Sequence, residues 1–342
     1  MNTPAFLIVR LGALGDIVHT IPVAAALRRA CPDARIDWLV GAKHRDILDL
    51  VPVIDRRVVI GGAAAWPAAI GEVRKARYDV AIDLQGLMKS ALLARLSGAS
   101  RVVGFSSRYA RERLAHLFYT DVHDPGRGGL FDRRETRHVV DINLGLLTIL
   151  GIAAAPAEFP IDAIDAPAAR HVRDRTSGRY ALLNPGAAWP NKRWPPARLS
   201  AVATALRERH DLISVVIWGP GEESLAREVV GGANGAAVLA PPTSVADIVA
   251  LSRGAALMVS GDTGPAHIAS AMGTPIVGIY GPTRPARNGP LSPNDVTVSR
   301  DASCDCHHLR RCVRGRMCLL DIEAGEVVDA IERRLAAERS RV

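Results

Sequence analysis

Residues 256–281 read ALMVSGDTGPAHIASAMGTPIVGIYG. An apolar run, ALMVS, stops at Gly261. An acid, a hydroxyl, a glycine, a proline and a histidine follow within seven residues. A helix of small residues then runs to Gly273, and a second apolar run begins at Pro275. Strand, turn, helix and strand in so short a span is a βαβ unit, which pairs its strands in parallel. Pro265 suits the first helical position, where its missing N–H costs nothing. The free N–H groups of Thr263, Gly264 and the first turn then point out of the sheet and make an anion site suited to a diphosphate. His267 faces the same way one turn in, although it reads equally as a core histidine. Asp262 is awkward beside an anion. Its carboxylate is expected to turn toward the helix start or a sugar hydroxyl.

The same rhythm runs through the chain. Strands are expected at 6–10, 35–40, 56–60, 78–84 and 101–105, with a helix from Ile17 to Ala30 after the first. A stretch rich in Pro and Ala, residues 153–170, breaks the pattern and reads as a linker. A second set follows at 180–184, 214–219, 237–240, 256–260 and 275–281. The fold class is therefore α/β, with two Rossmann-like domains and parallel sheets. The expected division is 1–165, 175–322 and a last helix, 323–342, able to cross back onto the first domain. Ligands of open α/β sheets bind at the carboxyl ends of the strands. The two sheets are expected to face a central cleft.

Composition bounds the function. The 342 residues exceed one ordinary core. Hydrophobic residues make up 48% and charged residues 23%, a globular balance. No apolar run is long enough to span a bilayer, and residues 1–16 lack the pattern of a secretory signal. A cytoplasmic protein is expected. The net charge of +8 favours an anionic partner, with ordinary solubility as the competing explanation. No nucleic-acid motif is present, and five residues each of Phe, Trp and Tyr make no stacking platform.

Four strand-to-helix loops carry candidate chemistry. RLGALGDIVHTIP (10–22) has the glycines of a tight turn but not the G-x-G-x-x-G spacing, and no acid ends the second strand. That excludes a nicotinamide dehydrogenase. Asp16 reads either as a helix-capping carboxylate or as a general base. DLQGLMKS (83–90) offers Asp83, Gln85 and Lys89, or a cap beside an exposed lysine. LLNPGAAWPNKRWPPARL (182–199) places Lys192 and Arg193 between Trp189 and Trp194, where a cation could neutralise a leaving diphosphate. WGPGEES (218–224) supplies Glu222 or Glu223 for ribose hydroxyls, or simply acids at a helix start.

Together, VRLGALGDIVHTIP, DLQGLMKS, NPGAAWPNKRWP and SGDTGPAHIASAMGTPIVGIYGPT resemble glycosyltransferase family 9, the ADP-heptose:lipopolysaccharide heptosyltransferases. The resemblance runs from about residue 6 to the end of the chain. It implies a GT-B fold with the donor on the second domain. It implies inverting transfer of L-glycero-D-manno-heptose from ADP-heptose to an inner-core lipopolysaccharide sugar, without a catalytic metal. By the same resemblance Asp16 matches the catalytic base and Lys192 the lysine near the donor phosphates. Glu222, Asp262, Thr263, Gly264 and His267 match donor-binding positions. The resemblance also implies an anionic acceptor at the inner face of the cytoplasmic membrane. Arg56, Arg57, Lys89, Arg108, Arg111 and Arg113 are the candidates to meet it. Two other readings stay open: a relative acting on a protein or another glycan, and a nucleotide-binding regulatory module without catalysis. Oligomeric state is not legible.

Four of the five cysteines fall together. Cys304, Cys306, Cys312 and Cys318 follow C-x-C-x5-C-x5-C, which could hold a structural Zn or Fe. His307 and His308 are alternative ligands. Free thiols and local disulfides are the competing expectations.

Overall fold

The computed structural model describes residues 3–339 apart from Arg127, Ala154, Ala163, Asp305, His308 and Arg314. The chain divides into two compact units, Met1–Asp162 and Ala163–Val342. The first is built on β1 (Ala5–Val9), β2 (Arg35–Gly41), β3 (Arg56–Ile60), β4 (Val80–Asp83), β5 (Arg101–Phe105) and β6 (Asp121–His123). The second is built on β7 (Tyr180–Asn184), β8 (Ile213–Val216), β9 (Ala237–Leu239), β10 (Leu257–Gly261), β11 (Ile276–Tyr280) and β12 (Val296–Ser299). All strand pairs are parallel.

The first sheet runs β3-β2-β1-β4-β5-β6 and the second β12-β11-β10-β7-β8-β9. Counted from its own first strand, each sheet has the same doubly wound order. The order reverses between β1 and β4 in one unit and between β7 and β10 in the other. A loop after each of those strands runs off in a different direction, which opens a crevice at the carboxyl edge. The central strands are buried throughout, as sheets covered on both faces require.

Two expectations change. The helix read from Ile17 to Ala30 is two helices, Leu14–Val18 and Ile21–Ala30. Pro22 lacks the N–H that would bond the Val18 carbonyl, and its ring would clash there. The helix Pro167–Thr176 starts inside the expected linker, and the Ala168 N–H donates to Asp247 Oδ1 at 3.0 Å, within the second unit. The last helix, Ala324–Arg339, packs on β11, β12 and the helix Pro196–His210 of its own unit. Arg334 joins it to Asp295 at 2.7 Å, and Trp194 Nε1 donates to the Ile322 carbonyl at 3.0 Å.

Candidate active site

In the first unit the reversal point is tied by polar groups from β1 and β4. The Leu11 N–H donates to Gln85 Oε1 at 2.7 Å, and the Arg10 guanidinium donates to the Leu84 carbonyl. Asp83 is fully buried. It accepts from Tyr119 Oη (2.7 Å), Ser90 Oγ (2.9 Å) and the N–H groups of Gln85 (2.9 Å) and Gly86 (3.3 Å). Burial pushes its carboxyl up, and those donors only partly offset the rise. Asp83 and Gln85 thus build the frame of the site.

Asp16 stands on that frame as the third residue of the helix Leu14–Val18. Its Oδ2 accepts from Arg10 and from Arg111, each at 2.8 Å, and from the Ala13 N–H at 3.3 Å. The two cations differ. The Arg10 side chain is 4% exposed, whereas that of Arg111 is 35% exposed. Burial lowers the Arg10 guanidinium, and the adjacent Asp16 opposes that. Arg10 is thus a fixed partner and Arg111 an exchangeable one.

The other expected acceptor contacts divide. Arg108 and Arg113 share a loop with Arg111, and Arg108 leans on Asp124 at 3.6 Å. Lys89 is exposed near the start of the helix Met88–Leu96, after the DLQG loop. Arg56 and Arg57 are misplaced by the sequence reading. They begin β3, on the sheet edge opposite Asp16, because a parallel strand carries its first residues away from the loops that follow it. Arg56 instead meets Asp37 (3.2 Å) and Glu72 (3.2 Å), and Arg57 pairs with Asp49.

In the second unit the reversal point gathers residues from β7, β8 and β10. Asp262 follows β10 and is buried. It accepts from Lys192 Nζ at 2.5 Å and meets His267 Nε2 at 3.0 Å. Burial alone would raise its carboxyl. The His267 hydrogen bond and the Lys192 charge outweigh burial and hold it well below the usual carboxylate range. Asp262 thus faces Lys192 and, in the first turn of the helix that follows, His267. Lys192 also lies 4.5 Å from the centre of the Trp189 ring, a cation–π position.

The helix Gly264–Ala271 has Thr263 as its cap residue, and no side chain caps its first N–H groups. Those donors face the carboxyl edge, as an anion site requires. Pro265 takes the second helical position rather than the first. The Thr263 hydroxyl is drawn into the frame, at 2.9 Å from Asn184 Nδ2 and 3.0 Å from Ser260 Oγ. Asn184 and Ser260 were missed from sequence.

Glu222 and Glu223 separate cleanly. Glu223 pairs with Arg227 one turn along its own helix. Glu222 folds back to accept the Gly219 N–H at 3.1 Å, with Arg193 at 3.7 Å. A Cβ at Gly186 would lie 2.0 Å from Glu222 Oε2, so only glycine lets this carboxylate reach the loop after β7. At Gly261 a Cβ would come within 3.1 Å of the Lys192 carbonyl, which fixes how closely the lysine loop passes the end of β10.

The cysteines form a small buried cluster. Cys306 Sγ lies 3.2 Å from Cys312 Sγ, Cys304 Sγ accepts the Cys306 N–H at 3.3 Å, and all are free thiols. Burial pushes the Cys304 thiol up to about 12 and raises Cys318. Among the described residues no three His, Cys, Asp or Glu side chains converge as metal ligands. The four cysteines expected to hold Zn or Fe are brought together in one cluster. His307 Nε2 meets the Asp301 carbonyl at 2.9 Å, and His308 lies outside the described residues. Among the described residues no helix is long and apolar enough to cross a membrane.

The chain is similar to known heptosyltransferases. Lipopolysaccharide heptosyltransferase 1 of Pseudomonas aeruginosa is 29% identical over 87% of this chain and 84% of its own length. Its counterpart from Escherichia coli K12 is 29% identical over 85% and 92%. The solved structure of E. coli heptosyltransferase WaaC with ADP matches at a TM-score of 0.77 and 25% identity, covering 96% of this chain and 99% of that one. The two Rossmann-like units are those of the GT-B class. The model of glycosyltransferase family 9 (heptosyltransferase) matches residues 68–317, and the chain belongs to that family.

Proposed function

We propose that this protein moves L-glycero-D-manno-heptose from ADP-heptose to an inner-core lipopolysaccharide sugar, with inversion, using Asp16 as general base. The observation that carries the reading is the Asp16 carboxylate, held at the reversal point of the first sheet between one buried and one half-exposed arginine. The relatives' names supply the substrate class.

Asp16 takes the proton of the acceptor hydroxyl. That oxygen forms the new bond to the anomeric carbon as the bond to the diphosphate breaks, and ADP leaves with the electron pair. Two guanidiniums weaken Asp16 as a base, since each favours the unprotonated carboxylate. An anionic acceptor that draws Arg111 to itself removes one of the two guanidiniums from Asp16 and strengthens the base only once the acceptor is seated. Arg108, Arg113 and Lys89 are the further cations for that acceptor.

In the second unit the growing charge on ADP competes with Asp262 for Lys192. The uncapped start of the helix Gly264–Ala271 meets the phosphates, so no catalytic metal is invoked. Glu222 is placed for ribose hydroxyls, and His267 holds Asp262 while Lys192 turns to the diphosphate. Mass analysis of products from ADP-heptose and defined lipopolysaccharide truncations tests this reading. Addition of one heptose to an inner-core acceptor is expected. ADP binding without transfer to any such acceptor would favour a regulatory module, and transfer only to protein would favour the other glycosyltransferase reading.

A further inference from the structure

The turn that follows Arg111 has one face with no place in the chemistry above. Residues Arg113–Phe118 form a 3-10 helix, in which side chains three apart eclipse one another. The six residues therefore fall into three stripes. Ala115 and Phe118 pack on the core of the first unit. Arg113 and His116 make a polar stripe. Leu114 and Leu117 make the third, and they are 59% and 68% exposed. Two outward leucines on one short turn cost free energy in water unless something covers them.

We propose that this turn docks the protein on an anionic lipid bilayer, with Leu114 and Leu117 entering the interface and Arg108 and Arg113 meeting lipid headgroups. The charge is complementary: Arg108 is largely exposed and Arg113 is exposed on the adjacent stripe. Two leucines are far too little surface for a stable protein interface, which needs roughly 1,000 Å² or more. They are enough for a surface anchor that joins a few apolar side chains to nearby cations. The turn starts two residues after the arginine that touches Asp16, so docking here brings the base to the plane in which a lipid-borne acceptor lies. In that last respect the inference rests on the proposed function.

The test is co-sedimentation of the full chain with phosphatidylcholine vesicles, with and without phosphatidylglycerol. The wild type is expected to pellet with the anionic vesicles and much less with the neutral ones. Leu114→Glu with Leu117→Glu is expected to lower the anionic partition by roughly tenfold or more. Leu114→Ser with Leu117→Ser should fall between. Both double variants should keep wild-type ADP affinity and wild-type turnover of a deacylated, water-soluble acceptor. A wild type that stays in the supernatant, or variants that pellet as well as it does, would overturn the docking. So would a wild-type dimer that the variants convert to monomer, because the leucines would then be covered by a second copy. Vesicle binding without turnover of any acceptor would defeat the proposed function and leave the docking standing.

Discussion

The two reversal points share a topology and invert their electrostatics. In the first unit a carboxylate, Asp16, is held by two arginines, one buried and one half-exposed. In the second a carboxylate, Asp262, is buried and holds a lysine nearer the surface. Their side chains show the inversion: Asp16 is 16% exposed against 4% for Arg10, while Lys192 is 15% exposed against 5% for Asp262. The same doubly wound frame thus sets the carboxylate outside its buried cation, Arg10, in one unit and the ammonium outside its buried carboxylate in the other.

The comparison breaks most easily at Asp16. Asp16→Asn keeps the size and most contacts of the side chain but removes its proton affinity. Its kcat should fall about 10²- to 10⁴-fold, the usual worth of a general base, with ADP affinity unchanged. In the second unit Lys192→Met should lower kcat by about 10²- to 10³-fold. It should also destabilise the fold by about 3 kcal/mol, because a buried carboxylate loses its main cation. Adding Asp262→Asn to Lys192→Met should recover part of that stability and none of the turnover. Urea unfolding and steady-state kinetics on the three proteins separate the two effects.

The arginines around Asp16 sharpen the point. Arg111→Ala should raise the acceptor KM more than it lowers kcat, since its place is with the anionic acceptor. Arg10→Ala removes a buried donor and should cost about 1–3 kcal/mol of stability as well as turnover. Equal effects of the two on stability would erase the distinction between a fixed and an exchangeable partner.

Asp262 also fixes a pH dependence. Its carboxyl is depressed in the folded protein, so its contribution to stability is complete above the ordinary carboxylate value of about 3.9. That contribution is lost only as pH falls through the lower folded value. The stability gap between wild type and Asp262→Asn at neutral pH should therefore persist at about pH 4. A gap already closed there would contradict the buried pair.

Much of this was legible in the sequence, and the omissions have physical causes. The buried central strands announce themselves as apolar runs, so the two sheets follow from periodicity. The strands left out, Asp121–His123 and Val296–Ser299, are short edge strands buried on fewer sides and therefore less apolar. Asp16, Lys192 and Asp262 stand out because each interrupts a glycine- and proline-rich loop after a strand. Asn184, Ser260 and Arg10 do not, since their partners are set by strand pairing across 70 or more residues and no local spacing reports that. Arg56 and Arg57 mislead for a related reason: composition gives their charge, but only the direction of β3 gives their edge. The cysteine spacing marked residues that do come together in one buried cluster.

The smallest expected effect follows from that edge. Arg56→Ala should leave the acceptor KM unchanged and cost no more than about 1 kcal/mol, as half-exposed ion pairs do.

The central claim is that Asp16, the acid at the reversal point of the first unit, does the proton transfer. The most direct measurement is single-turnover heptose transfer from saturating ADP-heptose to a soluble inner-core acceptor, comparing wild type with Asp16→Asn across pH. The account predicts a rate at least about 100-fold lower in the variant, with the acid limb of the wild-type profile abolished. A variant within a few-fold of wild type that keeps that limb would show that Asp16 is not the base.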